Sequence, residues 1–325
     1  MVGAATRPGA GTDEFEPPGP SVRAARPRRY GSYEKARRRL IVPFLAPAAV
    51  LMIVFILYPV AKTVQLSLTD WNGVTRALPY VGARNYGALA TDAAFISAFK
   101  NTILLTVIGG AILFPVAVAF AWALCQPIKG KRFFQFTIFA PVVLSVAVAG
   151  LLWKFVYHPT LGLINPALET VGLDGLARTW LGDPSTALTA VAVTVVWQSL
   201  GLWVILLVAG FTRLPADVLE AARVDGASEW TVWRRVMLPL LGDLLRILLA
   251  MWIINALQTF GFVWIMTEGG PFGSTEVVGT LMVKAAFDGK EFGYAAAMGI
   301  VLIVFMIAVV AVLNRYLRRR DFIEY

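Results

Sequence analysis

The chain has 325 residues, 58% apolar and 15% charged, with a mean hydropathy of +0.69. Soluble domains run near half apolar and about a quarter charged, so the excess demands a very large core or a bilayer, and this length cannot supply the core. The net charge of +9 would suggest nucleic acid in a soluble chain, but here the basic residues flank apolar runs, which makes a membrane surface the partner and excludes nucleic acid.

Residues 1–39 are rich in Pro, Gly, Ala and Arg, and Pro17 to Pro20 read PPGP, the composition of a disordered tail. Its basic end meets an apolar run from Leu40 to Val60 directly. That run is too long for a signal-peptide core, and no small-x-small site closes it, so a cleaved leader is not expected. Five more apolar segments follow, near Thr102–Leu124, Phe133–Tyr157, Ala187–Phe211, Leu241–Met266 and Gly293–Leu317. Each is long enough to cross roughly 30 Å of hydrocarbon as a helix, which predicts an all-α, polytopic membrane protein of six transmembrane helices. The expected divisions are a cytoplasmic basic tail (1–39), a membrane domain (40–317) and a short cytoplasmic C-terminal tail (318–325).

Twenty of the 29 Lys and Arg residues fall on one side if the N-terminus is inside, and eight on the other. Both termini are therefore expected in the cytoplasm. At the start of the fifth segment, Asp243 and Arg246 stand three residues apart, where an ion pair or snorkelling to the interface is expected. Cys125 lies alone in an apolar run, so no intrachain disulfide, redox or zinc motif can form. His158, the single histidine, precedes Pro159 beyond the third segment and reads as a loop residue. No metal site and no cofactor are expected.

The loop between the fourth and fifth segments, 213–240, is too patterned for a passive connector. Pro215 and Asp217 suit the first turn of a helix, Val218, Leu219 and Ala222 give it an apolar face, and Asp225-Gly226 breaks it. Ser228 can cap a second helix whose Trp230, Trp233 and Met237 share a face until Pro239 ends it. Such pieces can float in the headgroup layer, with Arg234 and Arg235 meeting anionic lipid, or dock on a protein.

In the fifth segment Asn255, Gln258 and Thr259 fall within about one helical turn, and amides in hydrocarbon are costly unless paired. They must face protein or a watery path. Trp252, Phe260, Phe262 and Trp264 stand beside them, the combination a sugar route needs, although interhelical hydrogen bonding explains the same amides. Trp197, Gln198 and Trp203 on the fourth segment make a similar case.

Glu220-Ala221-Ala222, Gly226 after a three-residue gap, and Leu238-Pro239 resemble the EAA signature of the inner-membrane permeases of binding-protein-dependent ABC importers. Asn255 to Phe260, Met266 to Pro271, Ser274-Thr275, Phe287 and Gly293 to Ala297 are similar to the sugar-permease branch of maltose and glycerol-3-phosphate importers, and within it to the first permease of the pair. The likeness covers about residues 40–320. An Asp that commonly follows the Phe of the fifth span is Gly261 here. The resemblance implies a coupling helix in a groove of an ATPase subunit, with Glu220 as polar contact, Ala221 and Ala222 permitting close approach, and Asp225, Gly226 and Pro239 shaping the loop. The alternative for Glu220 is a pair with Arg223 on its own helix.

It further implies a substrate path through Asn255, Gln258, Thr259, Phe260 and Trp264. The implied partners are a second homologous permease, two ATP-binding cassette subunits and an extracytoplasmic solute-binding protein received by the loops Leu68–Lys100, His158–Thr186 and Thr267–Phe292. No GxxxxGK[ST], GxSxG or HExxH occurs, so no catalytic residue is expected and ATP hydrolysis belongs to a partner. The expected function is therefore a permease for a carbohydrate or polyol. An ABC permease for another solute, an ion-coupled secondary transporter and a scaffold subunit are the rivals. The secondary transporter usually needs ionisable groups or broken helices at the bilayer midplane, and the span interiors lack Asp and Glu.

Overall fold

A computed structural model describes residue 3 and residues 43–317. The expected tails, residues 1–39 apart from Gly3 and 318–325, lie outside the described residues. The chain divides into two compact units, Met1–Tyr58 and Pro59–Tyr325. In the first, the described backbone is helical from Pro43 on. That helix, α1, runs over Pro43–Ser67 and forms the first apolar span.

The second unit is helical, and a single bridge between Thr69 and Tyr80 is its only extended pairing among the described residues. Helix α2 (Arg84–Thr91) is anchored by Asn85, whose amide donates to the Ser67 and Thr69 carbonyls at 2.9 Å each. Asp92 then caps α3 (Ala93–Cys125), accepting from the Ala94 N–H at 2.8 Å. The expected second span begins nine residues earlier than hydropathy suggested, because the Asp92 cap extends the helix beyond the apolar run.

The third segment is not the single helix 133–157 that its hydropathy predicted. It consists of α4 (Lys131–Phe139), a 3₁₀ turn over Ala140–Val143 and α5 (Val146–Val156), with the two arms bent by 106°. Pro141 sits in the 3₁₀ turn, and Ser145 caps α5 by accepting from the Val148 N–H, so the sequence both stops one helix and starts the next. A short helix, α6 (Ile164–Thr170), lies in the following loop.

Helix α7 (Ala187–Phe211) matches the fourth predicted span and packs along α3. Buried small residues allow the approach: Ala98, Ala117 and Ala121 on α3, Ala187, Ala190 and Ala192 on α7. Thr102 and Thr106 return their hydroxyls to carbonyls one turn back, at 2.7 and 2.8 Å, so neither brings an unsatisfied donor into the apolar interior.

The loop forms α8 (Ala216–Val224) and α9 (Glu229–Leu240). Pro239 does not end the second of these, as its sequence suggested. A π-turn over Trp233–Met237 resets the hydrogen-bond register, and the helix bends by 67° two residues later, at Leu241, into α10 (Gly242–Leu257). Asp243 and Arg246 pair at 3.0 Å, as expected. The fifth segment also departs from its predicted continuous span over 241–266. It breaks at Gln258–Phe260 and resumes as α11 (Gly261–Met266). Helices α12 (Val278–Val283) and α13 (Phe292–Leu317) complete the bundle. Among the described residues four helices are long and apolar enough to cross a membrane, and the count reaches six when each bent pair is one span.

Trp252 at the middle of α10 joins the layers. It fits a slot on α3 where a Cβ on Gly109 or Gly110 would come within 2.6 or 2.8 Å of its indole, and its Nε1–H donates to the Thr106 carbonyl at 2.9 Å.

Candidate functional site: a polar cavity at the helix breaks

The two broken spans meet. α11 packs on α5, and Gly261 makes the contact possible, since a Cβ there would come 2.9 Å from Val146 Cγ1. Between these breaks and the middle of α7 lies a cavity of about 440 Å³. Its polar wall is Gln198 and Ser199 from α7, Asn255 from α10, and Gln258 and Thr259 from the break. Trp203, Trp252, Phe260 and Phe262 supply aromatic surface, and Val142, Val146, Val195, Leu202 and Met251 most of the aliphatic remainder.

The break explains why these side chains point into open space. Gln258 ends α10, the Thr259 N–H turns back to the Ala256 carbonyl at 3.0 Å, and the Phe260 carbonyl then accepts from Trp264 N–H to start α11. Irregular backbone at such depth is tolerated where it lines a cavity, and this one does. One N–H of each amide is engaged: Asn255 Nδ2 donates to the Met251 carbonyl at 2.8 Å, and Gln258 Nε2 to Met306 Sδ at 3.6 Å, so each amide keeps a second N–H and its oxygen. The Thr259 hydroxyl donates to the Asn255 carbonyl at 3.3 Å.

Of the predicted path residues, the structure brings Asn255, Gln258, Thr259 and Phe260 together on the cavity wall. Trp264 stands one turn further on, outside the lining, with its ring 5.5 Å from that of Phe260. Gln198 has a structural duty as well: its amide donates at 2.8 Å to the Leu144 carbonyl, which the break in the third span frees. Trp203 lines the cavity, whereas Trp197 lies against Trp153 at 5.4 Å. The sequence alone missed Val142, Val146, Ser199 and Leu202, because apolar residues and one serine carry no sign of lining until the fold assembles them.

The predicted coupling residues lie on a separate surface. Glu220 and Ala221 are exposed on α8, Ala222 is half-buried, Asp225 caps the helix C-terminus, and Gly226 takes a left-handed φ of 82° with open space around it. Arg223 does not pair with Glu220. Its guanidinium reaches across the turn to Glu229 at 2.8 Å, leaving the Glu220 carboxylate without an ion pair among the described residues. Ser228 caps α9 as its sequence suggested, and Trp230 stacks on Trp233 at 4.6 Å. Pro239 is exposed within the last turn of α9.

At the far end of α3 and α11, the loop after Met266 is tied down at several points. Asn101 donates to the Gly273 and Glu276 carbonyls, and Lys284 reaches both the Glu276 carboxylate and the Glu268 carbonyl. The tip of this loop, Phe272, is fully exposed.

Residues 116–321 match the family described as "Binding-protein-dependent transport system inner membrane component". The chain is 35% identical over 277 residues to the probable ABC transporter permease protein YurN of Bacillus subtilis, covering 82% of this chain and 93% of that one. It is 30% identical to the diacetylchitobiose uptake system permease protein NgcF of Streptomyces coelicolor, covering 88% of this chain and 84% of NgcF. In fold it matches a chain of a bacterial ABC transporter involved in the import of the acidic polysaccharide alginate, at a TM-score of 0.78 and 22% identity, over 90% of this chain and 99% of that chain.

Proposed function

Because this chain belongs to the family of inner-membrane components of binding-protein-dependent transport systems, we propose that it forms one side of the path along which a carbohydrate or polyol crosses the membrane. The observation that carries this reading is the cavity at the two helix breaks, where five uncharged polar side chains stand beside four aromatic rings. Hydroxyl groups need hydrogen-bond partners once stripped of water, and the apolar faces of sugar rings need flat surfaces, so this wall suits both. Relatives point the same way, one of them a diacetylchitobiose permease.

ATP hydrolysis belongs to two ATP-binding cassette subunits, a second homologous permease completes the path, and an extracytoplasmic binding protein delivers the solute. Both termini face the cytoplasm. The segment 213–240 is the coupling element: exposed Glu220 provides the polar contact to an ATPase, Ala221 and Ala222 admit it closely, and Asp225, Gly226 and Pro239 set the angles of the two helices. The Arg223–Glu229 pair supports this by holding α8 against α9 while Glu220 stays available. Movement of this element tilts α7 and α10, which flank it in sequence, and so opens the cavity to alternate sides.

Gentle affinity purification of the chain from its own membranes, followed by mass spectrometry of what stays bound, tests the proposal. Recovery of an ATPase with a Walker motif and a second permease is expected. Recovery of the chain alone from several detergents would overturn it.

A further inference from the structure

We infer that the groove between α4 and the second half of α7 holds a membrane phospholipid with an acidic headgroup, its phosphate at Lys129, Lys131 and Arg132 and an acyl chain along the groove. The site is separate from the cavity at the helix breaks and independent of the solute that passes there.

The groove encloses about 480 Å³. Phe136 and Phe139 from α4 and Val204, Ile205 and Val208 from α7 form most of its wall, and Gln135 is its one polar side chain. Phe136 and Ile205 are exposed, so the groove opens at the surface of the chain, where so apolar a slot calls for hydrocarbon. At one end the chain turns through Lys129-Gly130-Lys131-Arg132. Lys131 and Gln135 stand one turn apart on the same face of α4, which sets the half-buried Lys131 at the mouth of the groove. Among the described residues none of the three cations has a carboxylate within ion-pair distance. None stands near in sequence either, since no Asp or Glu occurs between Asp92 and Glu169, and α7 carries no charge. No side chain caps α4, so its first N–H groups add to the pull on an anion.

From Lys131 to Phe139 is about 12 Å along the helix, close to the roughly 15 Å of hydrocarbon in one leaflet. A phosphate at the turn and an acyl chain in the groove therefore fit one lipid molecule. Charge selects its headgroup. Phosphatidylcholine brings a quaternary ammonium that three cations repel and no carboxylate receives, whereas phosphatidylglycerol carries only the negative charge of its phosphate.

The full chain, with the subunits it retains on purification, is stripped of lipid in detergent and titrated with dioleoyl phosphatidylglycerol, dioleoyl phosphatidylcholine or inorganic phosphate, and bound lipid is counted by native mass spectrometry. Saturable binding of phosphatidylglycerol at a concentration at least tenfold below that needed for phosphatidylcholine is expected, undiminished by a large excess of phosphate. Equal binding of the two lipids, no binding, as when another protein segment covers the groove, or displacement by phosphate, as at a site for free anions, overturns the inference and leaves the transport role untouched. Changing Lys129, Lys131 and Arg132 together to Ala is expected to erase the preference while phosphatidylcholine binding stays. Ala209→Phe, which fills the groove from an exposed position, is expected to weaken both lipids at least tenfold. A preference kept by the triple variant, or wild-type lipid binding by Ala209→Phe, overturns the inference. Should the triple variant fail to fold, Lys131→Gln alone decides: a preference reduced at least threefold is expected, and an unchanged one overturns the inference.

Discussion

At Gly110 an added side chain would begin 2.8 Å from Trp252 Nε1, so the residue is fixed by what its neighbour occupies and not by its own backbone. A Gly110→Val variant is expected to lose about 1–3 kcal/mol of stability from overpacking, read as a lower thermal midpoint of the purified protein, while exposed Gly87→Ala moves little. Asp92 is a second residue-scale test. The Tyr294 hydroxyl, donating at 2.6 Å, and the backbone N–H groups of Ala94 and Phe95 hold its carboxyl below the usual carboxylate range. A depressed folded pKa means the contribution is fully present above the ordinary carboxylate value and fades as pH falls through the folded one. The stability difference between wild type and Asp92→Asn should therefore be constant from pH 8 to about pH 5 and shrink below about pH 4. A difference that grew on acidification would contradict the assignment. At the cavity, Asn255→Leu with Gln258→Leu should lower solute uptake at least tenfold with complex yield retained, measured in the assembled importer; unchanged uptake would favour the scaffold alternative. That Asn255, Gln258 and Thr259 line the cavity was legible because polar side chains inside an apolar segment demand a reason, whereas Val142 and Leu202 resemble every other apolar residue of a span.

The unbroken helices α3, α7 and α13 follow from length and apolar content alone, and hydropathy placed most of their residues correctly. The breaks in the third and fifth segments did not show, because a window of about 20 residues averages over three or four that leave the helix. Local signs were present in Pro141 and Ser145, yet Pro239, an equally strong sign, stands within a helical turn. At the first break the freed backbone group has a partner, since the Gln198 amide satisfies the Leu144 carbonyl, whereas Pro239 follows the π-turn of α9 in the helix's last turn. Gln198→Leu should thus cost about 1–3 kcal/mol by stranding that carbonyl, detectable in a thermal melt, with Leu202→Ala nearby as a comparison that leaves the bond intact. A Gln198→Leu melt at the wild-type midpoint would show the bond to be dispensable.

Across the whole molecule, the proposed coupling surface on α8 and the cavity on α7, α10 and α11 lie at different places along the same helical frame. Variants should separate them. Gly226→Pro or Glu220→Lys is expected to leave insertion intact while abolishing co-purification of an ATPase, and wild-type complex yield with wild-type uptake would sink the coupling role. The EAA-like pattern was visible in sequence because its residues keep a fixed spacing within one short segment; the Arg223–Glu229 pair was not, because it depends on how the chain folds back at Gly226.

The indole of Trp252, held in the slot of Gly109 and Gly110 and bonded to the Thr106 carbonyl, limits how that frame can move. Helix α10 cannot slide along α3 without expelling the ring. It can rock about this point, like a beam on a fulcrum, so widening the gap between these two helices at one end narrows it at the other.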